Sequence, residues 1–157
     1  MFEETISTVS SGDPYKIKVR GFNLVGAGPF SDEVTVYAAR EPDAPNAPTR
    51  VADTYAKDTI DIEWTPNGNG GSGISGYQIW WNGGGTGPVT GQLAELLTPV
   101  TTYQATGLSE GIYYRFAIKA VNIVKESNLS GETQLIAAKE PNAPGTPTLD
   151  SQDSTLV

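Results

Sequence analysis

The sequence predicts an all-β chain whose main unit is a seven-stranded sandwich of two antiparallel sheets. Three observations carry this. Short runs alternate apolar and polar residues at period two, turn-forming residues separate them, and one phrase recurs at the spacing of a small domain. About seven such runs fall within about 100 residues, the density of a sandwich.

Each strand has its own pattern. In "TIDIEW", Ile60, Ile62 and Trp64 point one way and Asp61 and Glu63 the other. In "GYQIWWN", Tyr77, Ile79 and Trp81 share a face, with Gln78 and Trp80 opposite. "YYRFAIKAVN" sends Tyr114, Phe116, Ile118 and Ala120 inward and Arg115, Ala117, Lys119 and Val121 outward. "TTYQATGL" and "ETQLIAA" are shorter candidates, and "GQLAELLT" (91–98) reads as an irregular edge. The predicted core is Trp64, Tyr77, Ile79, Tyr114, Phe116 and Ile118. Fully burying one such side chain contributes about 1.5–3 kcal/mol. A sandwich of this size therefore needs no disulfide, whereas three strands alone bury too little.

The repeat sets the organisation. "AAREPDAPNAPT" (38–49) returns as "AAKEPNAPGTPT" (137–148), 99 positions later. At the same offset "YKIKVRGFNLVGAGPFSDEVTVYAA" (15–39) lies over "YRFAIKAVNIVKESNLSGETQLIAA" (114–138) without a gap. Tyr15 meets Tyr114, Asn23 meets Asn122, Ser31 meets Ser130 and Glu33 meets Glu132. The period is that of a domain and too long for a solenoid unit. Residues 41–140 make one whole period, 1–40 match only its last part, and 141–157 only its first.

Composition narrows the function. The chain has no Cys and no His, so no disulfide, no zinc site of those ligands and no histidine base is available. A net charge of −8 opposes binding to nucleic acid, which needs clustered Lys and Arg. No apolar run is long enough to insert in a membrane, and "MFEETISTVS" lacks the basic and apolar regions of a signal peptide. Glu41, Asp43 and Glu140 near the recurring phrase offer too few oxygens for calcium. Neither a metal nor a cofactor is expected.

Taken together, "PDAPNAPT", Trp64 on the second strand, "GISGYQIWW" on the third and "LSEGIYYRFAIKAVN" before the sixth resemble the fibronectin type III family. The resemblance implies an immunoglobulin-like sandwich in tandem array, complete over 41–140 and partial at both ends. It labels 1–40 as strands E, F and G, and 141–157 as strand A and the start of B, with "DSTLV" (153–157) resembling "DTIDI" (58–62). Leu108 precedes Tyr114 by six residues, which in that family implies a tyrosine corner, and Val9 and Tyr15 repeat the spacing. The turn "VGAGPFS" (25–31) fits the family, whereas "VKESNLS" (124–130) has lost its glycines.

Few residues suggest chemistry. "GNGGSG" fits G-x-G-x-x-G at Gly68, Gly70 and Gly73, but a strand follows where a dinucleotide site needs a helix, so it reads as a flexible loop. Asp61 and Glu63 read as solvated on an outer face, not as a paired acid and base. Trp80 is the candidate contact for a partner protein or a glycan, unless it packs on outward neighbours such as Arg115 or Lys119. Asn128, in Asn128-Leu129-Ser130, is the single N-glycosylation candidate. No Arg-Gly-Asp occurs.

No catalytic constellation emerges. The resemblance implies a structural or adhesive part of a longer array, at the cell surface or outside the cell. Its partners would be other protein chains, including copies of itself joined head to tail into a filament. The alternative is a carbohydrate-binding or spacer module on an extracellular enzyme, and a cytoskeletal array stays open. Pro42, Pro45 and Pro48 are expected to stiffen the junction and blunt an edge strand.

Overall fold

The computed structural model describes residues 9–148 and contains strands and turns without a helix among them. Two short strands come first, β1 (Pro14–Ile17) and β2 (Val34–Tyr37). Seven more follow: β3 (Thr49–Arg50), β4 (Thr59–Glu63), β5 (Gly76–Trp81), β6 (Gly91–Leu96), β7 (Thr102–Thr106), β8 (Tyr113–Val121) and β9 (Thr133–Ile136). These seven form two antiparallel sheets, ordered β3-β4-β7 and β6-β5-β8-β9, while among the described residues β1 and β2 pair only with each other.

The sandwich core follows from the alternation. Ile60, Ile62 and Trp64 from one sheet meet Tyr77, Ile79, Tyr114, Phe116 and Ile118 from the other, all buried. Trp64 and Tyr77 pack edge to face at 5.2 Å, and Trp81 stacks on Tyr114 at 5.8 Å. Burial pushes the Tyr77 hydroxyl above its usual pKa. The nearby Trp64 indole opposes that shift, although its buried Nε1 closes no hydrogen bond.

One expectation is met and one corrected. "GQLAEL" is the irregular edge expected: β6 is the outer strand of its sheet, and its pairing with β5 shifts register between Ile79 and Trp80. Its sequence is poor in strand formers, so pairing with β5 decides its conformation. Ala117 lies on the outward face of β8 yet is fully buried. It stands opposite Trp80 where β5 pairs with β8.

The tyrosine corner closes. Ser109 N–H donates to the Tyr114 hydroxyl at 2.9 Å, and 99 residues earlier Ser10 N–H donates to Tyr15 at 2.6 Å. Other bonds recur at that offset. Ser130 Oγ accepts from Ile118 N–H at 2.9 Å and Ser31 Oγ from Val19 N–H at 3.1 Å. Gly111 N–H donates to Ala137 and Gly12 N–H to Ala38. The turns after β8 and β1 close alike, Asn122 N–H donating to Lys125 and Asn23 N–H to Gly26, so the second keeps its form without glycine. An ion pair recurs too, Arg115–Glu132 at 3.5 Å and Lys16–Glu33 at 2.9 Å.

Burial does not recur. Ile118 is 0 % exposed and Val19 67 %; Leu108 is 6 % exposed and Val9 44 %. Strand β8 is flanked by β5 and β9, whereas β1 is shorter and among the described residues has β2 alone. The strand E expected before β1 falls largely in residues 1–8, and the strand B expected near the C-terminus in 149–157; both lie outside the described residues.

Tyr114→Phe should lower sandwich stability by about 1 kcal/mol, which moves the melting midpoint by about 4–8 °C in a domain this small. Tyr15→Phe should leave that midpoint in place. Thermal unfolding followed by near-ultraviolet circular dichroism reads both, and equal shifts from the two changes would contradict the assignment.

Candidate functional site

The most elaborately built region outside the core is where residues 38–48 meet the sandwich. Pro42, Pro45 and Pro48 recur every third residue, and all three are buried. A three-residue repeat is that of a polyproline II segment, which puts the three rings on one side. Polar contacts fix the segment in place. Asp43 N–H donates to Gly68 at 2.8 Å, Asn46 N–H to Thr65 at 3.0 Å, and Asn67 Nδ2 to Ala44 at 2.7 Å.

Upstream of the prolines the same segment meets the glycine-rich loop and the turn after β8. Arg40 N–H donates to the Gly70 carbonyl at 2.8 Å. Asn122 clamps both partners: its Nδ2 donates to the Arg40 carbonyl at 2.8 Å and the Asn69 carbonyl at 3.0 Å. Its Oδ1 accepts from Val124 and Lys125 N–H and shapes its own turn. Arg40 pairs with Asp43 at 2.8 Å, and their hydrogen bond holds the Asp43 carboxyl below and the Arg40 guanidinium above their ordinary values. Both side chains are exposed, so water screens this pair and it adds little stability.

The glycines here permit close backbone approach. A Cβ on Gly70, at φ +71, would overlap the carbonyls of Arg40 and Glu41. A Cβ on Gly12 would overlap the Gly71 carbonyl, and one on Gly71 would overlap Ser11 Oγ. The run expected to be a flexible loop is thus a seat for residues 10–12 and 38–41. A cleft of about 620 Å³ remains beside it, bordered by Val9, Tyr37, Arg40 and Asn69. Composition hid this seat, because glycine promises flexibility locally and only a distant segment shows that room is needed. The recurrence of Asn at 23 and 122 was the available clue.

The residues singled out from sequence lie elsewhere. Trp80 is half-buried on β5, with Lys119 Nζ 5.2 Å from its ring centre and its Nε1 donating to Gln78 at 3.3 Å. Of the two proposed neighbours Lys119 covers it, while Arg115 pairs with Glu132. A sugar ring would have to displace Lys119 to stack there. Asn128 is exposed in the turn after β8, and the hydroxyl of its Ser130 is buried and accepts from Ile118 N–H. Asp61 accepts from Gln104 Nε2 on the β4-β7 face, at 2.9 Å. These residues do not converge on one site.

A second surface is apolar. Val19, Phe22, Leu24, Val25, Phe30 and Val34 are exposed along and beside the β1-β2 hairpin. The Arg20 guanidinium lies over both Phe22 and Phe30, at 4.9 and 4.7 Å.

Asn122→Asp keeps the acceptor that shapes the turn and deletes the donor that clamps the segment. Removing this part-buried donor from the Arg40 and Asn69 carbonyls should cost about 1–3 kcal/mol locally and speed exchange of the Arg40 amide about tenfold or more. Exchange at Ile118 should stay slow. Unchanged protection at Arg40, read by nuclear magnetic resonance, would contradict the clamp.

Comparison with known proteins agrees with this geometry. The fibronectin type III domain model matches residues 43–135, more than half of the chain. Human contactin-3 is 27 % identical over 154 residues, covering 92 % of this chain and 14 % of contactin-3. A Kelch domain-containing protein of Sulfurisphaera tokodaii is 27 % identical over 135 residues, covering 86 % of this chain and 17 % of that protein. The chain therefore spans a small part of these relatives. Among solved structures, a multi-domain segment of titin superposes with a TM-score of 0.61 at 23 % identity, covering 83 % of this chain and 43 % of the titin segment. The chain belongs to the fibronectin type III family.

Proposed function

We propose that the chain is a non-catalytic structural or adhesive part of a tandem fibronectin type III array that works at the cell surface or outside the cell. In this reading residues 1–40 are the last strands of one domain, 41–140 a complete domain, and 141–157 the beginning of a third. One observation carries it: the tyrosine corner, serine bond, turn closure and ion pair of 108–137 recur 99 residues earlier. Random similarity of sequence does not reproduce a set of specific backbone bonds. The likeness to contactin-3 also covers more of the chain than the matched domain does.

The exposed apolar stripe then has a meaning. Val19 and Val9 occupy places that are core at Ile118 and Leu108, and the strands that would cover them precede this segment in an array. A second reading has another copy of the chain cover them, through its residues 141–157, and so build a head-to-tail filament. Light scattering across a dilution series separates the two: a strict monomer at high concentration excludes the filament.

The array reading is tested by supplying the missing strands. Residues 41–107, placed directly ahead of Val9, bring strands β3 to β7 in front of the β1-β2 hairpin. The hybrid chain should show slow amide exchange at Val19, matching Ile118. A Val19 amide that still exchanges like an exposed one would overturn the reading.

Passage through the secretory pathway would make Asn128 an accessible acceptor. Native protein treated with a glycan-removing amidase should then lose mass at that residue; an unmodified Asn128 in native material argues against the extracellular assignment.

A further inference from the structure

The recurring phrase is buried once and exposed once. Pro42, Pro45 and Pro48 are buried against the sandwich that follows them. Their counterparts Pro141, Pro144 and Pro147 are exposed, as is the whole of 141–148. Sequence does not explain the difference, since the prolines keep the same spacing. The body that covers the first set is the glycine-rich pole of 68–71 with Asn122 and the adjoining end of β4.

The surface that docks on that pole also has a counterpart. Residues 10–12 and 38–40 form it in the N-terminal segment, where Gly12 N–H donates to Ala38 and Gly12 sits at φ +89. Residues 109–111 and 137–139 repeat it, with Gly111 N–H donating to Ala137 and Gly111 at φ +79. The Gly12 Cβ position abuts Gly71, whereas nothing lies within 4 Å of that of Gly111. Ser109, Glu110, Ile112, Tyr113 and Lys139 are all exposed around it. Among the described residues, a docking surface that is occupied in one copy is exposed in the other.

We propose that the pole formed by Ser109–Gly111 and Ala137–Glu140 seats the glycine-rich pole of a further domain of this same kind, its Gly68–Gly71 loop and Asn122, joined through 141–148. This rests on the array reading and deepens it by naming the partner of that pole and the geometry of the joint. The Lys139 amide then donates to a Gly70 carbonyl and the Lys139 carbonyl accepts from an Asn122 side chain, as at Arg40. Identical joints rotate each domain by the same angle relative to the last. The array becomes a rod of fixed twist, and its domains do not swing freely on linkers.

The joint differs in one respect. Arg40 pairs with Asp43, but the residue 99 positions after Asp43 is Asn142, so Lys139 has no such ion pair. That pair is exposed, and the joint rests on its backbone bonds and buried prolines instead.

The test writes residues 50–157 directly after Thr148, in place of 149–157, which keeps the 99-residue register and places a known pole behind the second phrase. The Lys139 amide should be protected from exchange to within about tenfold of the Arg40 amide, since both would make the same bond. Asn122→Asp in the second copy alone should release Lys139 about tenfold or more and leave Arg40 unaffected. If Lys139 exchanges freely while Arg40 is protected, the repeated joint is wrong and the array reading survives. If both exchange freely, the joint and the array geometry fall together. If Asn122→Asp in the second copy leaves Lys139 protected, the proposed seat is not the one in use.

Discussion

Strand β8 depends on having a neighbour at each edge and a sheet across from one face, and the rest of the fold depends on β8. Its inward residues Tyr114, Phe116 and Ile118 close the core, and its backbone joins β5 to β9. Its first turn carries the corner to Ser109, and Asn122, the residue after its end, clamps the incoming chain. A strand of this kind is stable only as the middle member of a set. The β1-β2 hairpin has the same local bonds without that set among the described residues, and its apolar side chains are exposed. Local hydrogen bonding is therefore a property of the repeat, while burial is a property of the company it keeps.

The junction obeys the same logic. Proline fixes φ and cannot donate, so the 42–48 segment cannot join a central ladder. Its three prolines are buried instead, and the segment is held by carbonyls and amides from the glycine-rich loop and by Asn67 and Asn122. Glycine at 70 and 71 lets the two backbones approach, and a side chain at either place would push them apart.

The parts legible in the sequence were those that local pattern determines. Alternation placed Ile60, Ile62, Trp64, Tyr77 and Ile79 inward because each strand buries one face. The six-residue spacing of Leu108 and Tyr114 located the corner because the hydroxyl must reach back across one turn. What pattern could not reveal was set by distant partners. The pairing of β6 with β5 carries a register shift, and Ala117 is buried opposite Trp80; neither shows in local alternation. The glycine run looked mobile because the segment that needs its space lies some thirty residues upstream, from Arg40 to Gly70. Trp80 looked available, and the lysine over its ring could be foreseen only by pairing β5 with β8.

Residue-resolved amide exchange on the 157-residue chain measures this dependence directly, by comparing Ile118 with Val19. Both amides donate to a serine hydroxyl 12 residues later, in the same local geometry. Ile118 should exchange only through global unfolding of the sandwich, and Val19 orders of magnitude faster, through local opening of the hairpin. Equal protection at the two positions would contradict the claim that these strands draw their stability from flanking partners.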